Sequence, residues 1–326
     1  MLKPRFYDLI CIMDYMRRGV IILVTSMFVN LVLICALYLN RSQSPDREWT
    51  QHYPLLSRRL SVENHNDILI NFVPLRSTLR EYVGQIKQPT GMYFEYLPSG
   101  VSIGINDQDT FFGASLLKLP VVMKTYKLIE QGKLNKTQQI TITEDQLDSG
   151  FGALWEQGAG TVITVEDAMK LAITQSDNTA DNVLRALVQS RPVSDVFDYL
   201  DIPTDQSAGP GAGITPKGFS STLRALYLSS YLSYENSNAL LKLMTMSPYS
   251  DRIVAGLPSN IQVAHKVGVY KDPATGGNEV HSDCGIVYVP QRPYMLCIIS
   301  RANIEESTNY MKTISKLIYD YVSSVN

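Results

Sequence analysis

The run Gly19–Leu39, GVIILVTSMFVNLVLICALYL, holds 21 residues without one charged side chain. Backbone polar groups find no water in hydrocarbon, so a single segment can cross it only as a helix that pairs its own N–H and C=O groups. At the helical rise, this run extends about 30 Å, the thickness of the hydrocarbon layer. It predicts a spanning helix. A cleaved signal peptide is the rival reading, but its apolar core would be shorter and would end in a small-x-small site, which Cys35-Ala36-Leu37 does not offer. Lys3, Arg5, Arg17 and Arg18 precede the run, against Arg41 and Arg47 just after it. That bias keeps residues 1–18 in the cytoplasm. The expectation is a single-pass protein of the plasma (inner) membrane, held by its N-terminal helix, with everything after residue 39 extracytoplasmic.

Residues 40–74 are polar and aperiodic, the composition of a tether. A folded domain is expected over 75–326. LRSTLREYVGQI suits a first helix, and GMYFEYL and GVSIGIN around Pro98-Ser99-Gly100 read as a β-hairpin. Residues 135–215 read as a mostly helical subdomain; Thr164 fits an N-cap, and Pro216 fits the first turn of a later helix. IQVAHKVGVY, DCGIVYV and YMLCIIS return to strand patterning, and Tyr310, Met311, Ile314, Leu317, Ile318 and Tyr321 form the apolar stripe of a last helix. Strands at both ends of the domain must pair to bury their faces, so the middle helices become an insert beside one mostly antiparallel sheet. The fold class is α/β, helices flanking that sheet.

With 29 basic against 31 acidic side chains, the chain has no field to attract nucleic acid, which is excluded as a partner. Four cysteines in no CxxC pair indicate neither a zinc site nor a disulfide framework, although Cys284 and Cys297 could face each other across a hairpin. The histidines form no metal-binding pair; His265 and His281 occupy strand positions and read as structural. No metal and no cofactor is called for. The glycine-rich GAGTVIT and AGPGAG lack the lysine and setting of a phosphate loop and read as rim loops.

In FFGASLLKLPVV, Ser115 and Lys118 stand one helical turn apart, so the amine can reach the hydroxyl. A serine needs a neighbouring base, and a lysine serves as one when burial or nearby cations hold it partly neutral. One SxxK is expected about once by chance in a chain of this length, and Ser115 as a mere helix cap is the plain alternative. Two further motifs follow: Ser176-Asp177-Asn178 in ITQSDNTADN and Lys266-Val267-Gly268 in AHKVGVY.

SLLK, SDN and KVG in that order resemble the SxxK, SDN and KTG signature of class A β-lactamases and penicillin-binding proteins. The resemblance extends to TPKGFSSTLRALY and HSDCGIVYVPQRPYMLCI and covers about Leu75 to Asn326. It implies a serine β-lactamase/transpeptidase-like fold with the site between sheet and helical subdomain. It also implies an acyl-serine enzyme acting on a peptidoglycan stem peptide or a β-lactam. Carried over, Ser115 would be the nucleophile, Lys118 its base, Ser176 the proton donor to the leaving nitrogen and Lys266 the cation lining the far side. Asn178 would hold the substrate amide, Val267, Gly268 and Val269 would line the substrate, and the N–H groups of Ser115 and Val269 would form the oxyanion hole.

Two departures matter. Val267 stands where the family has a hydroxyl for the substrate carboxylate. The interval FDYLDIPTDQSAGPGAGITPKGF contains no glutamate and no ExxLN-like pattern, so the family's base for deacylating water is missing; Asp201 and Asp205, the nearest acids, read as turn caps. A slow-deacylating penicillin-recognising hydrolase or acyltransferase of the D,D-peptidase type is therefore expected. A true class A-like β-lactamase and a catalytically impaired cell-wall binding module are the alternatives; the oligomeric state is left open.

Overall fold

The computed structural model describes residues 4–41, 51–56, 70–189, 191–203, 213–271 and 279–325, and these fall into two units. The first is built on helix α1 (Pro4–Arg41). Its stretch Met13–Ala36 is long and apolar enough to cross a membrane or to serve as a signal sequence. Thr25 Oγ1 donates to Ile21 O at 2.7 Å and Asn30 Nδ2 to Ser26 O at 2.8 Å, so these polar side chains are satisfied inside the helix that carries them.

The second unit takes in everything from Ile70 onward together with Leu55 and Leu56. Leu55, Leu56, Ile70 and Phe72 are buried in it, and Tyr288 donates to Leu55 O at 3.0 Å. Packed chain thus begins ahead of Leu75. Helix α2 (Val73–Gln85) leads into strands β1 (Thr90–Tyr96) and β2 (Val101–Ile105). After the short β3 (Phe111–Phe112) and a 3₁₀ turn over Ala114–Leu117 comes α3 (Lys118–Glu130). The pair β4 (Gln139–Thr141) and β5 (Val162–Thr164) precedes α4 (Val165–Thr174), α5 (Asn178–Val188) and α6 (Pro192–Tyr199). Then follow β6 (Gly213–Ile214), α7 (Pro216–Tyr227), α8 (Tyr234–Met244), β7 (Gln262–Lys271), β8 (Glu279–Tyr288), β9 (Tyr294–Ser300) and α9 (Ile304–Ser324).

Five strands form one antiparallel sheet in the order β2-β1-β9-β8-β7. Early β1 lies against late β9, with Met92 opposite Ile298 and Phe94 opposite Leu296, so the two ends of the domain close on each other and the helices between them are an insert. The fold is α/β, helices flanking that antiparallel sheet. On one face, Leu75, Leu79 and Val83 of α2 and Met311, Ile314, Ile318 and Val322 of α9 bury the apolar side chains of β1 and β9. Local signals act as their chemistry requires. Thr164 and Asp167 form a reciprocal capping box at α4. Thr215 caps α7, with Pro216 where its missing N–H costs nothing.

One question left open by the sequence is answered: Cys284 and Cys297 are bonded. The β8–β9 register sets the two residues directly opposite each other, a juxtaposition that cysteine spacing alone does not specify. Asp205, AGPGAG up to residue 212 and His65 lie outside the described residues.

Candidate active site

The 3₁₀ turn Ala114–Leu117 carries Ser115, half-buried, straight into α3, whose first residue is Lys118. Ala114 holds a φ of +47°, a left-handed conformation that costs a non-glycine residue about 1–3 kcal/mol. Ser176, at the junction of α4 and α5, is left-handed too, with φ +56°. Ala114 directly precedes the first motif and Ser176 opens the second, and the surrounding packing must hold both.

Ser176 stands between two buried lysines. Its carbonyl accepts from Lys118 Nζ, and its Oγ accepts from Lys266 Nζ at 2.8 Å. Lys118 also donates to Asn178 Oδ1 at 2.6 Å, and Lys266 to Val267 O at 2.9 Å. The two side chains are 4% and 1% exposed. Burial pulls the Lys118 ammonium down from 10.5 to about 8; Asp181, Asp177 and Asp148 oppose the fall and Arg185 adds to it. Burial, and then the Lys118 charge, pushes Lys266 well below its usual range.

Asn178 is tied at three points. Its Oδ1 takes the Lys118 bond, its Nδ2 donates to Asp148 Oδ1 at 2.9 Å, and its N–H donates to Phe151 O at 2.9 Å. Asp177 caps α5: Oδ1 accepts from Ala180 N and Oδ2 from Leu154 N, each at 2.9 Å. Gly152, at φ +87°, is needed for this: a Cβ there would lie 2.1 Å from Asp177 Oδ2.

Strand β7 is the sheet edge facing this turn. A Cβ on Gly268 would fall 3.4 Å from Leu116 and 3.5 Å from Ala114, on either side of Ser115 in sequence. Val269, next along, is half-buried, whereas Val267 is 2% exposed. The structure therefore brings Lys118, Ser176, Asn178 and Lys266 into one bonded set and lays Gly268 along the Ser115 turn. Ser115 Oγ makes no hydrogen bond to Lys118. Asp201 is exposed in the turn after α6, at φ +52°.

Four residues that motif reading passes over belong to the surroundings. Asp148 orients Asn178. Asp181, 7% exposed, has an Oδ1 without a hydrogen-bond partner; its i+3 spacing from Asn178 is the signal that could have found it. Beside Gly268, the buried Oγ of Ser282 is unpartnered, and a Cβ on Gly268 would meet it at 2.3 Å. Buried Arg252 donates from Nη1 to Ser282 O at 3.3 Å, and its Nε finds only Asp251, 3.9 Å away. His265 and His281 are structural partners of carboxylates: His265 Nδ1 lies 2.8 Å from Asp283 Oδ1, and His281 Nε2 lies 3.0 Å from Glu279 Oε2.

The chain is 26% identical over 260 residues to Beta-lactamase PSE-4 of Pseudomonas aeruginosa, covering 74% of this chain and 85% of that protein. It is 26% identical over 226 residues to a β-lactamase of Streptomyces lavendulae, covering 64% and 72%. Among solved structures, PBP-A superposes with a TM-score of 0.69 at 21% identity, over 77% of this chain and 96% of that one. A mutant of PBP-A has been solved as an acyl-enzyme complex with penicillin G. The β-lactamase of Sphaerobacter thermophilus superposes with a TM-score of 0.70 at 22% identity, over 79% and 100%. Residues 74–322 match the family described as Beta-lactamase enzyme family, so the chain belongs to that family and is a serine hydrolase of the β-lactamase type.

Proposed function

We propose that this protein is a membrane-anchored, penicillin-recognising acyl-serine enzyme that is slow to deacylate. The observation that carries the reading is Ser176, bonded through its carbonyl to Lys118, which stands one turn from Ser115, and through its hydroxyl to Lys266. With its ammonium near 8, about one Lys118 in ten is neutral at pH 7. That amine takes the Ser115 Oγ proton as Oγ attacks the amide carbonyl carbon. The backbone N–H groups of Ser115 and Val269 stabilise the oxyanion. The C–N bond then breaks, and the departing nitrogen takes the Ser176 hydroxyl proton, which the Lys118 ammonium restores. A β-lactam nitrogen stays tethered to the acyl group, whereas a D-alanyl-D-alanine-like peptide releases its terminal residue.

Ser282 and Arg252 replace the hydroxyl missing at Val267. An unpartnered buried hydroxyl and an underused buried guanidinium beside Gly268 suit the substrate carboxylate. The interval between Phe197 and Phe219 holds no glutamate, so water lacks the family's base once the ester has formed. The bond between Cys284 and Cys297 fits an oxidising compartment, in keeping with a domain outside the membrane.

Labelled penicillin should add covalently to the full chain, with intact mass showing one adduct that persists for many minutes. Ser115→Ala should abolish it; an adduct that survives this change rejects the assignment. Rapid, repeated nitrocefin turnover would instead favour a true β-lactamase, the activity named for the curated relatives.

A further inference from the structure

One buried charge is not used by the chemistry above. Asp181 lies one turn along α5 from Asn178, on the same helix face. That face meets Lys118, since Asn178 Oδ1 accepts from Lys118 Nζ at 2.6 Å. Lys118 and Asp181 form no ion pair within 4.0 Å, yet Asp181 is 7% exposed and its Oδ1 has no hydrogen-bond partner. Its Oδ2 accepts from Arg185 Nε at 2.8 Å, and the Arg185 side chain is 38% exposed. A buried carboxylate thus stands on the helix face that meets the lysine, with one oxygen tied to a cation near solvent and the other without a partner.

We propose that Asp181 is a positioning residue that acts through Lys118: the Asp181–Arg185 couple sets how readily the buried amine gives up its proton, Asp181 holding the ammonium and Arg185 moderating that hold. The inference rests on Lys118 serving as the base. The charged groups facing Lys118 are Asp181 and Arg185 from α5, Asp177 from the N-cap of α5, Asp148 from the loop after β4, and Lys266 from β7. Asp177 and Asp148 are committed elsewhere: Asp177 accepts from two backbone N–H groups, and Asp148 Oδ1 accepts from Asn178 and from Gly150 N. Asp181 alone of the three carboxylates keeps an unpartnered buried oxygen, and it is the strongest electrostatic influence in favour of the charged form of both lysines. Such an arrangement prevents two buried cations from both losing their protons for want of a counter-charge.

The test is the pH dependence of the second-order acylation rate of the full chain in detergent, read with labelled penicillin. Wild type should show an acid-side limb belonging to Lys118. In Asp181→Asn the ammonium loses its counter-charge, the neutral amine appears at lower pH, and the limb should move acidward by roughly one pH unit. In Arg185→Gln the carboxylate acts unmoderated, and the limb should move the other way by a smaller amount. A purely structural role would lower the rate at every pH without moving the limb. Limbs that stay in place, or that move in the same direction in both variants, overturn the proposal. Should Asp181→Asn fail to fold, Arg185→Gln reads the couple from its solvent side, and an unmoved or acidward limb there overturns it alone. A Lys118→Ala variant that acylates as fast as wild type would remove the base assignment itself, an outcome distinct from an unmoved limb.

Discussion

At the scale of single residues, the site is a problem in keeping charge where water is not. Lys118, Lys266 and Arg252 are all buried, at 4%, 1% and 3% exposure; each lysine must be met by carbonyls, hydroxyls or carboxylates or lose its proton, whereas the guanidinium keeps its charge and must be paired. Arg252 is the least satisfied of them, which is why it is read as a ligand for a substrate anion. A hydrogen bond to a charged partner contributes about 1.5–3 kcal/mol, equivalent to roughly a 10–100-fold change in rate or affinity. Arg252→Met is therefore expected to slow acylation by a penicillin bearing its carboxylate by that factor, while leaving acylation by the methyl ester of the same penicillin nearly unchanged. Equal losses on acid and ester would mean that Arg252 only supports the backbone at Ser282.

Elements explain which of these residues a linear reading can find. Ser115 and Lys118 share one helix face, and Ser176 and Asn178 share one helix start, so a spacing rule reaches them. The capping box at Thr164 and Asp167 and the proline at the start of α7 are local for the same reason. Asp148, Ser282 and Arg252 have no such rule. Their places depend on how two loops and a strand pack against one another, and no interval in the sequence encodes that. The cysteines are the sharpest case, because only the β8–β9 register makes Cys284 face Cys297. The bond closes a loop with a sequence separation of 13, for which restricting the unfolded chain contributes about 3 kcal/mol. Replacing both cysteines with alanine should lower the thermal midpoint by several degrees. The expected acylation rate at 25 °C is unchanged, since the bond joins strands behind the β7 edge. A full loss of acylation in folded protein would contradict that placement.

For the whole molecule, the same burial that equips the site shapes the dependence of stability on pH. Lys118 titrates near 8 when folded and near 10.5 when unfolded, and Lys266 is displaced in the same direction. Between those values the unfolded chain binds more protons than the folded one, so stability rises as pH increases across that window. Lys118 alone contributes a rise of about 3 kcal/mol, since it is nearly fully buried. Tyrosines act with the opposite sign. Burial raises Tyr126 and Tyr231 to about 12, and Tyr288 and Tyr294 also move upward. Stability from them is complete below pH 10, where both states keep the phenol proton, and is lost as pH rises from 10 towards the folded values. The midpoint of urea unfolding for the full chain, followed by near-ultraviolet circular dichroism, should therefore climb from pH 8 to a maximum near pH 10 and fall beyond it. A midpoint that declines steadily from pH 8 would show that the lysines remain charged in the folded state. Neither could then serve as a base at neutral pH, and the acylation chemistry built on Lys118 would lose its physical ground.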